Sequence, residues 1–154
     1  MDYPTNLSGL NQFGDFCNGL QEELDTLPIA RHLADAVIQE VHAAVNDRYA
    51  TQTDARGNQW PPHAPSTVRI YGRHPLLILS GDMFAASTSR GAPGGYEQIT
   101  DRSIVLGVMQ IYAPTQQFGD PNRNIPARPF FELDDQAIER IREIVTDYIT
   151  TAWV

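Results

Sequence analysis

Four histidines, one cysteine and an arginine held between prolines are the side chains whose chemistry could reach beyond folding. His63 and His74 flank a proline-rich stretch just after Trp60, so the three could line a small-ligand pocket, or the histidines could join a carboxylate at a metal. No ligand-spacing pattern accompanies them. His32 and His42 are separated by about 280° around a helix and cannot chelate one ion together. They read as solvated helix-surface groups. Cys17 falls on the apolar side of a helical pattern and reads as a small hydrophobe, since a nucleophilic thiolate needs electropositive surroundings. The signatures of acyl transfer, zinc proteolysis, phosphate cradling, dithiol redox chemistry and dinucleotide binding do not occur, and Ser80-Gly81-Asp82 is too short to stand for one. Enzymatic function has little support, and no cofactor or metal is expected.

Arg128 is the side chain whose setting is most unusual. It lies in Tyr112–Phe131, YAPTQQFGDPNRNIPARPFF, where Pro126 and Pro129 push Ile125 and Arg128 into extended geometry and cannot donate ladder hydrogen bonds. The result is a stiff ribbon, on which a guanidinium is pre-organised to meet a carboxylate or an aromatic face, within the fold or across an interface. Upstream, Tyr112–Phe118 suits a short helix with Pro114 near its start and Gly119 at the left-handed C′ position. Asp120–Asn124 then reads as an exposed loop carrying Arg123. Phe130 and Phe131 are expected to share the core with Ile141 and Val145.

The elements that must position these groups fit one domain. With 154 residues, 42% of them hydrophobic, the chain can bury one core but not two. All 11 basic residues are arginines, and 19 acidic residues bring the net charge to −8, which argues against a free-standing nucleic-acid binder. A single cysteine precludes an intramolecular disulfide. No apolar run approaches the roughly 18 residues of a membrane span, and the first residues lack a signal peptide's basic flank, so a soluble, intracellular protein is expected.

In chain order, residues 1–10 look irregular, and a first helix follows near 11–25. Thr26 and Pro28 open a second, whose stripe runs through Ile29, Leu33, Val37, Val41, Ala44 and Val45 to about Tyr49. Residues 50–75 read as a long, mostly irregular connection in which Trp60 is an anchor, on the core or at an interface. Ser80 or Asp82 can cap a helix over 82–88, and 90–95 is a flexible loop. Tyr96–Thr100 and Ser103–Val108 form a hairpin around Asp101-Arg102. Leu133 and Asp134 supply the staple and cap of a final helix striped by Ile138, Ile141, Ile144, Val145, Tyr148 and Ile149. The expected class is α+β, a small antiparallel sheet flanked by N-terminal and C-terminal helices. The loops 50–75, 88–95 and 119–125 are expected to be the least ordered parts of the isolated chain.

The distinctive pieces fall in one order: Asp47-Arg48-Tyr49, Gly57-Asn-Gln-Trp60-Pro61, Ile78-Leu79-Ser80-Gly81-Asp82-Met83, Tyr112-Ala113, Gln117-Phe118-Gly119, and Ile125-Pro-Ala-Arg-Pro-Phe-Phe131. Over about residues 20–150 this resembles the phage virion morphogenesis, or tail-completion, family. The chain departs from the family's pattern in having Pro114 inside the YA–QFG helix and Gln116 where a histidine often stands. The resemblance implies a non-enzymatic virion protein made in the bacterial cytoplasm and built into the head–tail junction as a ring, a hexamer or dodecamer. Its partners would be neighbouring neck, portal or adaptor, and tail-tube proteins, with DNA only as passing cargo and no membrane. A tail terminator or connector layer is the near alternative, and a small-ligand module or enzyme the distant one. Trp60, Tyr112, Gln117, Phe118, Gly119, Arg123, Pro126, Arg128 and Pro129 are the assembly candidates.

Overall fold

The computed structural model describes residues 31–152. The helix expected near 11–25, Cys17, and the opening of the second helix at Thr26 and Pro28 lie outside them. The described residues form α1 (Arg31–Thr51), α2 (Pro65–Tyr71), α3 (Asp82–Thr88), β1 (Gly95–Ile99), β2 (Ile104–Val108), α4 (Ala113–Phe118), a 3-10 turn (Pro121–Arg123) and α5 (Asp135–Ala152). The class is α+β as expected, with helices around one antiparallel pair of strands.

The long helix α1 is the organising element, because α3 and α5 both pack on it. Two packing partners demand a wider apolar face than one stripe provides. Leu33, Ala44 and Val45 are buried as expected and Val37 and Val41 are half-buried, but Ala34 and Ile38, outside that stripe, are fully enclosed. At the end of α1 the Tyr49 ring meets Trp60, Phe84 and Phe130 at centroid distances of 5.8, 5.0 and 5.8 Å. Aromatic edges against faces at these separations add favourable quadrupole contacts to simple burial. The Tyr49 hydroxyl sits 3.3 Å from that of Ser87, and burial pushes its pKa up to about 12.

The hairpin forms as expected. Ile99 pairs with Ile104, and the Thr100 amide donates to Ser103 O at 2.8 Å, leaving Asp101-Arg102 as the turn. Two strands alone are marginally stable in water. Here Arg90 ties the hairpin to the helices, donating to Glu97 on β1 and Asp35 on α1. Asp134 caps α5, its Oδ1 accepting the Ala137 amide at 2.8 Å.

Several expectations are corrected. Residues 50–75 are mostly irregular as expected, but they hold two ordered pieces that were not: Thr53 and Gln59 form an antiparallel bridge, and Pro65 opens α2 as an N-terminal proline can. Neither Ser80 nor Asp82 caps α3; the N-cap is Gly81 at φ 89°, while the Ser80 hydroxyl donates to the Asp82 carboxylate. Phe130 is in the core and Phe131 packs at its margin, but Ile141 and Val145 are only half-buried and stand apart from that cluster. The phase of α5 explains this. Ala137, fully enclosed, leads its inner face, which turns Ile138 and Ile149 outward and removes the expected staple from Leu133.

Candidate functional site

The assembly candidates converge on the ribbon 125–131, which two distant pieces of chain hold from different sides. From one side comes α4: Gln117 Oε1 accepts the amides of Phe130 and Phe131, both at 3.0 Å, and Gln116 O accepts the Arg128 amide at 2.7 Å. The Trp60 loop closes the other side. Trp60, 4% exposed, donates from its indole nitrogen to Pro129 O at 3.0 Å. Arg128, 7% exposed, reaches back, donating from Nε to Pro61 O at 2.8 Å and from a terminal nitrogen to Pro62 O at 2.9 Å.

The carboxylate or aromatic partner expected for Arg128 is therefore replaced by backbone carbonyls. Two consecutive prolines make this natural. Proline has no amide hydrogen, so an extended Pro-Pro segment can be held to its neighbours only through its carbonyls, and a planar fork of donors spans two of them. Burial lowers the pKa of this guanidinium.

Gly119 joins α4 to the ribbon. Its φ of 77° is positive as expected, but ψ is 175°, an extended conformation essentially restricted to glycine and not the left-handed helical one. A Cβ there would lie 2.8 Å from Ala127 N and 2.9 Å from Ile125 O. Beyond it, Asp120 bridges to Ile125, and its carboxylate accepts the Asn122 and Arg123 amides, so the exposed loop is a capped 3-10 turn. At the other end, Arg48 donates to Asp134 at 2.7 Å and to Asp54 O at 2.9 Å, which joins α1, the Trp60 loop and the cap of α5.

The candidates thus divide. Trp60, Gln117, Gly119, Arg128 and Pro129 are knitted together inside the chain, whereas Tyr112, Phe118, Arg123 and Pro126 face solvent, Phe118 being 77% exposed. Beside the ribbon lies a groove of about 480 Å³, with α2 on one wall and Tyr112, Ile125 and Pro126 on another. His63 and His74 do line it, but the buried Trp60 does not. Their rings are 4.2 Å apart, and each donates to a carbonyl, His63 Nε2 to His74 O and His74 Nδ1 to Pro75 O. Since a carbonyl only accepts, both tautomers are fixed, and the buried His74 Nε2 has no partner. Burial lowers the pKa of His63. Sequence reasoning missed Tyr71, Leu79 and Met83, which also line the groove; the signal for Leu79 was the run Pro75–Leu79, apolar yet too short for a full helix.

Of the other histidines, His32 is exposed and meets the Tyr148 ring edge-on at 5.2 Å. His42 is half-buried near Arg90 and Glu97, and burial lowers its pKa. Among the described residues no group of three or more His, Cys, Asp or Glu is placed to hold a metal ion, and no helix is long and apolar enough to cross a membrane.

Compared with models of protein families, residues 10–150 match the phage virion morphogenesis family. Neither the curated proteins nor the solved structures offer a match.

Proposed function

The chain belongs to the phage virion morphogenesis family, and from that premise we propose that it is a tail-completion protein that joins heads to tails as a ring layer of the phage neck. The carrying observation is the extent of the match, which takes in α1, the ribbon and nearly all of α5. A role in building the phage virion follows from the family. The neck layer, the ring of six or twelve copies, and contact with portal, adaptor or tail-tube proteins are the specific reading.

The geometry supports it in two ways. The resembling segments, dispersed in sequence, close on each other through Arg128, Trp60 and Gln117, so they form one rigid unit. Next to this unit Tyr112, Phe118, Arg123 and Pro126 remain free to meet a partner. The net charge of −8 suits a passage for DNA, because each phosphate neutralised by a basic lining would add a salt-dependent attraction and slow transit.

The test is deletion of the gene, with the lysate imaged by electron microscopy. DNA-filled or leaking heads beside separate, complete tails are expected. Normal numbers of joined, infectious particles would refute the joining role. Tails of uncontrolled length would indicate a terminator layer, and a lysate without capsids an earlier step in head assembly.

A further inference from the structure

The hairpin is a sheet of only two strands, so each strand has one edge without a partner strand. Thr100 N donates to Ser103 O at 2.8 Å and Met109 N to Gly94 O at 2.7 Å, which fixes the phase of the ladder from both of its ends. The hydrogen-bonded pairs between them are therefore Tyr96 with Gly107 and Gln98 with Val105. The alternate residues turn their amides and carbonyls outward: Glu97 and Ile99 on β1, and Ile104, Leu106 and Val108 on β2. Among the described residues these outward groups have no hydrogen-bond partner, whereas Gly95 N, also outward, is taken by Ala92 O at 3.0 Å.

Such an edge is a template for another strand, and proteins that stay apart blunt theirs with charge, proline or a bulge. Ile104-Val-Leu-Gly-Val108 has none of these, and its pairing runs without interruption. β1 carries one charge, Glu97, already held by Arg90. The two edges also fit each other. Partners across a ladder share a face, so the outward residues of both strands place their side chains on the side of the Arg90 tie, and Tyr96, Gln98 and Val105 are exposed on the other.

We infer that β2 of each copy pairs with β1 of the next, so that the hairpins join into one closed sheet around the ring. The inference rests on the ring reading above. In a ring of six or twelve the neighbour is turned by only about 60° or 30°, so β2 meets the next β1 antiparallel, as it meets its own. Full overlap sets Ile104 and Leu106 against Ile99 and Glu97 of the next copy and keeps both faces in step. It also brings Arg102 in one turn beside Asp101 in the next. Both are exposed, and among the described residues neither is in an ion pair. Opposite charges meeting there offset part of the repulsion between copies of a −8 chain. A different protein would take one edge and leave the other open, whereas closure among copies removes both.

The test uses the full chain. Ile99→Pro and Ile104→Pro each remove an outward amide that the hairpin does not use, and an edge strand tolerates proline there, so each variant should melt close to the wild type. By sedimentation, each alone should self-associate at least about tenfold more weakly than wild type, since every contact then contains a blocked edge. In an equimolar mixture the two intact edges meet once, and assembly should stop at a heterodimer. Wild-type association of either variant, or a mixture without heterodimer, overturns the inference. Should a proline variant fail to fold, amide exchange in the wild type decides. Glu97, Ile99, Ile104 and Leu106 should exchange fast in the dilute chain and at least about tenfold more slowly in the oligomer, with Gln98 and Val105 slow in both. Fast exchange at either edge of the oligomer overturns it. If the wild-type chain is monomeric throughout, a photo-crosslinker at Val105 in assembled particles decides: a link to β1 of another copy supports the inference, and a link to a different protein, or none, overturns it. These outcomes are separable from the neck reading, which the deletion phenotype tests whichever surface makes the ring.

Discussion

Arg128→Ala separates a residue that holds the fold from one that holds the assembly. Sequence alone ranks its loss as worse for assembly than for folding, since a guanidinium on a proline-fixed ribbon is well placed for a neighbour's carboxylate. The structure gives Arg128 a role in the fold as well, because three of its five donors go to Pro61 O, Pro62 O and, at 3.5 Å, Gln116 Oε1. A hydrogen bond from a charged donor contributes about 1.5–3 kcal/mol. The two short bonds dominate, and the long contact adds little. Pro62 is exposed, so its carbonyl regains water when the arginine goes, which brings the expected loss to about 2–4 kcal/mol. For a chain of this size that is a fall in Tm of about 5–15 °C. Arg128→Lys should recover only part, because one ammonium cannot span two carbonyls as the fork does. Urea denaturation and thermal melts of the isolated chain measure this. An unchanged midpoint for Arg128→Ala, with head–tail joining lost, would refute the clamp and restore the interface role.

Gln117→Leu leaves the Phe130 and Phe131 amides without their acceptor and should cost about 2–4 kcal/mol in denaturant titration; Gln117→Glu, which keeps an acceptor oxygen, should recover most of it. Gly119→Ala adds a side chain at a positive φ against two backbone atoms and should cost about 1–3 kcal/mol or more, seen as a lower Tm, and a wild-type melt would contradict that geometry. His42 has its pKa lowered below 6.5 first by burial, with Arg90 adding and Glu97 opposing. The unfolded chain therefore binds the proton more readily, so stability is complete above about pH 6.5 and is lost as pH falls toward the lowered folded value. His42→Gln should flatten this slope between pH 7.5 and 5.5 while leaving the parallel contribution of His63, and an unaltered slope would count against it. Hydrogen exchange should find the Asp120 and Ile125 amides protected even in the isolated chain, because each donates across the bridge that closes the 3-10 turn, and fast exchange at both would return this segment to the unordered loops expected from sequence.

What was legible in the sequence followed from short-range rules. The cap at Asp134, the turn at Asp101-Arg102, the helix after Tyr112 and its stop at Gly119 each depend on a few neighbouring residues, and each is present. The α2 helix was hidden because prolines at 61, 62 and 65 suggest a break, although the last of them starts a helix. The phase of α5 was hidden for a different reason. Its alternating isoleucines fit more than one inward face, and packing against α1 decides between them. The site was half legible: the ribbon stood out by composition, but Arg128 could not be assigned to Pro61 and Pro62 without knowing that the Trp60 loop folds back on it.

That fold-back bears on how the proposed neck subunit would work. Binding costs free energy for every side chain and loop that must be ordered at the interface, and a segment already fixed avoids most of that cost. The ribbon is fixed before any partner arrives, by Gln117 from α4, by Trp60 and by Arg128 itself. The exposed groups it and its neighbours carry, Tyr112, Arg123 and Pro126 among them, are therefore presented on a rigid mount. The interior clamp and the exposed contacts are then two halves of one device, and mutations in them should have distinct signatures. A change in the clamp lowers the stability of the free chain and, through it, the yield of particles. A change at Phe118 or Arg123 should leave the free chain's unfolding unaltered and appear only when the subunit meets its neighbours.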